Sequence, residues 1–185
     1  MVSFSLRSLP GKQALEAQAN YKSEYRAGAI VPMTGGTTNH NQLAGTLYAC
    51  RGYHVYIGDV RLWIPQHRQY TYPDVMVIQG TPLYTGTSTT TVTNPLLIAE
   101  VLSKSTQNYD QGEKFMYYRS ISDLREYILI DQARFHVMQY ARNAEGKWVL
   151  TEYEAAESVL SLSTIEFHIP FRDLYAGVDF SEIEE

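Results

Sequence analysis

Asp74 and Glu100 are the residues of this chain whose type and setting point to chemistry. Glu100 interrupts the run Pro95-Leu96-Leu97-Ile98-Ala99-Glu100-Val101-Leu102, whose apolar character predicts a strand buried on both faces. An ionised carboxylate in such a strand is costly unless it is paired or bound to a metal. Twenty-six residues earlier, Tyr72-Pro73-Asp74-Val75-Met76-Val77-Ile78 repeats the arrangement, with the acid at the mouth of an apolar run. Two carboxylates delivered from neighbouring strand ends make an oxygen-rich site for a hard cation such as Mg²⁺. Asp74 and Glu100 are therefore expected at adjacent strand ends, close enough to share one cation.

The elements that must position them follow from the rest of the pattern. Residues 11–22 suit a short helix. Glu24 to Met33 reads as two strands turning at Ala27-Gly28. Thr34 to Asn39 is a loop that ends in helix N-cap residues, with a helix from about His40 to Arg51. Tyr53–Ile57 and Val60–Ile64 read as a hairpin around Gly58-Asp59. The Asp74 strand, a Thr/Gly-rich loop over Thr81–Thr93 and the Glu100 strand follow. A helix over Tyr109–Arg119 comes next, with Tyr127–Ile130 leading into a strand. Residues 134–141, 147–153 and 158–169 read as a meander, and Phe171–Ala176 as a last short helix. The fold class is α/β (α+β): a mixed β-sheet core flanked by helices, with an additional antiparallel β-meander, in one domain spanning residues 1–185.

Composition narrows the function classes. The 185 residues and 44% hydrophobic content suit one globular domain with a sizeable core. No apolar segment approaches the roughly 18 residues of a membrane span, and the first residues lack the pattern of an export signal. The single cysteine, Cys50, rules out an intramolecular disulfide and CxxC zinc sites, and implies a cytoplasmic address. A net charge of −5 argues against a general nucleic-acid coat but not against a nuclease, in which clustered acids lower the net charge while a local basic face binds. Ten of the fifteen basic residues are Arg, the better phosphate fork. The 15 Tyr fit half-buried sheet positions.

An ordered set of segments carries a resemblance: Glu24-Tyr25-Arg26-Ala27-Gly28-Ala29-Ile30-Val31-Pro32-Met33, Thr38-Asn39-His40, Tyr72-Pro73-Asp74-Val75, Glu100-Val101-Leu102-Ser103-Lys104-Ser105-Thr106, Tyr109-Asp110-Gln111-Gly112-Glu113-Lys114-Phe115 and Leu124-Arg125-Glu126-Tyr127. Over about residues 10–178 the chain resembles the PD-(D/E)XK nuclease superfamily, and within it the Uma-two family, described as putative restriction endonucleases. The resemblance implies a restriction-endonuclease-like core and Mg²⁺-dependent hydrolysis of DNA, with Mn²⁺ as a substitute. It makes Asp74 and Glu100 the metal ligands and Glu24 an auxiliary acid. Where the superfamily has Lys two positions after the Glu, this chain has Leu102. The candidate amines are then Lys104 at the strand's exit and Lys114 on the next helix, where similar branches supply it. Lys114 shares a helix face with Asp110.

Arg26, Arg51, Arg61, Arg68 and Arg119 are candidate phosphate ligands, and the sequence does not choose among them. His40, at a helix start, reads as a capping or packing residue. Gly112, inside a helix, points to close backbone packing. Two cuts on a duplex favour a homodimer. The rival readings are a catalytically silent nuclease-fold module used for binding or assembly, and a metal-assisted hydrolase of small phosphoesters on the same carboxylates.

Overall fold

The computed structural model describes residues 22–26, 29–33, 36–47, 53–87 and 89–181. The expected helix over residues 11–22 falls outside these except for Lys22, which is not helical, and Arg51 and Cys50 fall outside them as well.

Thirteen strands, three helices and one short 3-10 turn, Pro65–His67, are present among the described residues. The strands are β1 (Ser23–Arg26), β2 (Ala29–Pro32), β3 (His54–Ile57), β4 (Arg61–Ile64), β5 (Gln69–Thr71), β6 (Val75–Ile78), β7 (Thr91–Val92), β8 (Leu97–Leu102), β9 (Glu126–Asp131), β10 (Val137–Arg142), β11 (Trp148–Tyr153), β12 (Val159–Ser161) and β13 (His168–Pro170). Helix α1 is Thr38–Thr46, α2 runs over residues 107–118, and α3 is Phe171–Leu174. Among the described residues no helix is long and apolar enough to cross a membrane.

The central sheet has the order β11-β10-β9-β8-β6-β3. Its one parallel pair is β8–β9, with Glu100 beside Leu129, and α2 is the crossover that a parallel pair requires. The apolar runs around the two acids are buried at every position of β6 and β8, as their sequences predict. Alternation divides the sheet's side chains between two cores. Val75, Val77, Ala99 and Val101 pack with Leu43 of α1 and with Leu47, its C-cap residue. Met76, Ile78, Ile98 and Leu102 pack with Phe115 and Tyr118 of α2. Strand parity puts Glu100 on the α2 side.

A second sheet, β2-β1-β5-β4-β7, carries the β1–β2 hairpin expected around Ala27-Gly28. The expected hairpin of β3 with β4 does not form: β3 pairs with β6, and β4 pairs with β5 and β7. Gly58, in the left-handed region at φ +59°, instead hands the chain from one sheet to the other. Its amide donates to the Asp74 carbonyl at 3.0 Å, so that turn abuts the Asp74 corner. The Thr/Gly-rich loop contributes β7. The meander holds for β9, β10 and β11. Residues 158–169 depart from it: they contain β12 and part of β13, which pair only with each other among the described strands.

Candidate active site

Each functional side chain is held by a local reason. Pro73 keeps the chain extended ahead of β6, leaving Asp74 at the strand's mouth. There its Oδ2 accepts from the Val101 amide at 2.8 Å, while the Asp74 amide donates to Glu100 Oε2 at 3.3 Å. Asp74 is thus joined to β8 twice, through its amide to Glu100 and through its carboxylate to the neighbouring Val101 amide. Glu100 is 2% exposed, and its Oε1 accepts from the Tyr118 hydroxyl at 2.7 Å.

Lys114 completes the buried side. Its Nζ lies 2.8 Å from Glu100 Oε1 and 3.1 Å from Asp110 Oδ1. Asp110, Lys114 and Tyr118 recur every four residues along α2, which turns π-helical over Asp110–Lys114. The structure therefore brings Lys114 to Glu100. Lys104 lines a neighbouring cavity of about 300 Å³ with Phe180.

His40 joins from the opposite side. Helix α1 starts two residues earlier than expected, at Thr38, with Thr37 as N-cap; Thr37 Oγ1 accepts from the His40 amide at 3.1 Å. This cap aims the ring so that Nε2 lies 3.0 Å from Asp74 Oδ2. A Cβ on Gly36 would stand 2.9 Å from His40 Nδ1, so glycine there allows the loop to lie against the ring. His40 is a side-chain partner of Asp74 rather than merely a capping residue. Glu24 on β1 accepts from Thr71 Oγ1 and, through its other oxygen, from Arg26 Nε at 2.7 Å and from Arg26 Nη2.

These groups line one cavity of about 550 Å³, with Glu24, Arg26, His40, Asp74, Glu100 and Lys114 on its walls. Burial pushes the Glu100 carboxyl well above the usual range; Lys114 opposes that push, and the charges of Asp74 and Asp110 add to it. Burial also disfavours the Lys114 ammonium, but Glu100, Asp110 and Glu24 outweigh it and hold the amine protonated. For Asp74, burial raises and His40, Lys114 and the Val101 amide lower, with a net shift downward. His40 is shifted upward because Asp74 outweighs its burial. When all four are ionised, Glu24, Asp74, Glu100 and Asp110 outnumber the cations Lys114 and Arg26, so full ionisation of the site, Glu100 included, leaves negative charge in excess.

That excess fits a hard divalent cation. Among the described residues, Asp74 Oδ1 has no hydrogen-bond partner, and Glu100 Oε2 has only the 3.3 Å contact to the Asp74 amide. Each acid anchors itself through one oxygen and keeps lone pairs on the other. No group of three or more His, Cys, Asp or Glu side chains is arranged to hold a metal among the described residues. Mg²⁺ is commonly held by one or two carboxylates, water and substrate phosphate, so the donor set suits it.

Sequence reasoning passed over Tyr109, Tyr118 and Thr71 as members of this site. Spacing offered one signal, since Tyr118 lies four residues beyond Lys114. No local signal marks Thr71. Of the arginines named as phosphate ligands, Arg26 lines the cavity, whereas Arg61, Arg68 and Arg119 do not.

The chain is similar to known proteins in sequence and in fold. A family profile described as "Uma2: Putative restriction endonuclease" matches residues 10–172. Two uncharacterized proteins of Synechocystis sp. are similar over most of their length. One is 42% identical, covering 80% of this chain and 88% of the relative; the other is 31% identical, covering 89% of each. A crystal structure of a putative nuclease belonging to DUF820 from Anabaena variabilis shares the fold. Its TM-score is 0.67 at 14% identity, over 85% of this chain and 92% of that one.

Proposed function

The chain belongs to the Uma2 family, described as putative restriction endonucleases, and from that membership we propose that it is a metal-dependent endonuclease hydrolysing DNA phosphodiester bonds. The observation that carries the reading is the meeting of Asp74 and Glu100 at neighbouring strands, each with oxygen lone pairs still available, with a buried lysine on Glu100. Asp74 and Glu100 would hold Mg²⁺, with Mn²⁺ as a substitute. When bound, the ion would neutralise charge on the phosphoryl oxygens and acidify a water.

The protein's own groups have separable tasks. His40 and the Val101 amide fix Asp74 through Oδ2, so that Oδ1 would be available to hold the ion. Tyr118, kept neutral because burial and Glu100 push its hydroxyl well up, donates to Glu100 and fixes that rotamer. Lys114 remains an ammonium. It orients the attacking water and stabilises developing negative charge, and it is not the base. Glu24 contributes from the second sheet. The enzyme would work in the cytoplasm as a homodimer, one copy for each strand of a duplex.

Incubating supercoiled plasmid with the protein plus Mg²⁺, Mn²⁺ or chelator tests the reading. Cleavage is expected only with metal, and Asp74→Asn should reduce it to background while the far-UV spectrum is retained. Wild-type cleavage by Asp74→Asn would remove the assignment. Tight DNA binding without cleavage in any metal would favour a silent binding module.

A further inference from the structure

We propose that Arg26 is a phosphodiester-binding residue of this groove and that Glu24 is its positioning residue rather than a metal ligand; the proposal rests on the hydrolytic reading above. Both Glu24 oxygens are committed. One accepts from Thr71, the other from two nitrogens of Arg26, and the side chain is buried. A carboxylate bound on both oxygens to protein donors has little left for a cation.

Arg26 is held on two further counts. Its Cζ lies 3.6 Å from the centroid of the Tyr109 ring, so the guanidinium stacks on that face. The Tyr109 hydroxyl accepts from Nε2 of buried Gln69 at 2.9 Å, which fixes the ring. Glu24 thus clamps the Nε–Nη2 edge and Tyr109 clamps one face. Among the described residues Nη1 has no hydrogen-bond partner, and the side chain is 33% exposed on the wall that also carries Asp74 and Glu100.

Simple neutralisation of Glu24 does not require this arrangement. Lys114 already acts on Glu24 electrostatically, and a flexible lysine at position 26 would supply charge without a plane. A stacked, edge-clamped guanidinium is instead pre-organised. Its orientation is fixed before ligand arrives, so little rotamer freedom is lost when the remaining edge takes a phosphate oxygen. The metal-bearing acids on the same wall would face the same phosphodiester.

Side-chain ¹⁵N NMR of the full chain, titrated with dimethyl phosphate, tests the contact directly. The Arg26 Nε–H resonance, assigned by its loss in Arg26→Lys, should move on titration. Binding of a short duplex at saturating Ca²⁺ should weaken about 10- to 100-fold in Arg26→Lys, the scale of one charge-assisted fork. Glu24→Gln should weaken it in the same direction, and the double variant should be no worse than Arg26→Lys alone. The Mg²⁺ concentration for half-maximal cleavage should be unchanged in Glu24→Gln. An unmoved resonance, or wild-type DNA affinity in Arg26→Lys, overturns the proposal. A raised Mg²⁺ requirement in Glu24→Gln returns Glu24 to the metal. If wild type cleaves no DNA with any divalent metal while the Arg26 resonance still responds, the hydrolytic reading falls and phosphodiester binding at Arg26 stands.

Discussion

Lys114 is enclosed by Glu100, Asp110 and the Tyr109 and Tyr118 rings, and this enclosure is the ground for proposing it, and not Lys104, as the amine. Lys114→Ala should lower the Mg²⁺-dependent cleavage rate by about 10²–10³, the usual loss when one pre-organised charge stabiliser is removed. Lys104→Ala should leave it within about twofold, a change too small to mark a transition-state contact. Loss only in the Lys104 variant would show the amine to be misplaced. Glu24 gives a second expectation, in stability. Burial raises its carboxyl, but Lys114, Thr71 and Arg26 bring it below its ordinary 4.5. A carboxyl lowered on folding contributes stability above its unfolded pKa and loses it as pH falls through the folded value. Glu24→Gln should therefore destabilise at pH 7 by about 1–3 kcal/mol, and the difference from wild type should shrink below pH 4.5. Denaturant midpoints at pH 7 and at acid pH check this; a difference that grows on acidification would reverse the assigned sign. Asp74 and Glu100 were legible in the sequence because a charge inside an apolar run violates local patterning. The roles of His40 and Thr71 were not, because their partners Asp74 and Glu24 lie 34 and 47 residues away and no local pattern records the meeting.

At the level of elements, the crossover helix does most of the positioning. Its π-helical turn over Asp110–Lys114 is not written in the 3.6-residue pattern, which fits an ordinary helix equally well. Gly112 lies in that turn, yet a Cβ there would meet nothing within 4 Å, so the close packing expected of it is absent. The two strand errors share a cause. Alternation identifies a strand and its buried face but not its partner, so β3–β4 and β12 were assigned to their sequence neighbours. Glu126 shows what fixes the β12 region instead. Fully buried on β9, it accepts from the Ser163 and Thr164 amides at 3.0 Å, from Thr164 Oγ1 at 2.6 Å and from Gln139. It pins the 162–167 loop to the sheet far from the cavity. Glu126→Gln puts an amide donor among four donors and should destabilise by about 1–3 kcal/mol, with the cleavage rate per folded molecule unchanged. A fall in that rate at full folding would tie this clamp to the site.

Across the whole molecule, the site occupies one groove while a duplex has two strands to cut. On the proposed function the Asp74–Glu100 pair of one chain cuts one strand at a time, so double-strand cleavage by a monomer would require two encounters, and nicked plasmid would accumulate between them. Two copies related by a two-fold axis bring both sites to one duplex. The meander supplies a surface for this. β11 is an outer strand of the six-stranded sheet, and Val149 and Leu150 on it are 49% and 44% exposed. An outer strand carrying adjacent exposed apolar side chains is a template for pairing, and self-pairing is the closed outcome that avoids open-ended association. Sedimentation at micromolar concentration should therefore show a dimer. Leu150→Lys should shift it to monomer without altering the fold, because the position faces solvent in the single chain. The same variant should still nick supercoiled plasmid but accumulate open circles where wild type gives linear product. A wild-type monomer at micromolar concentration would remove the homodimer, and a dimeric Leu150→Lys variant would move the interface away from β11.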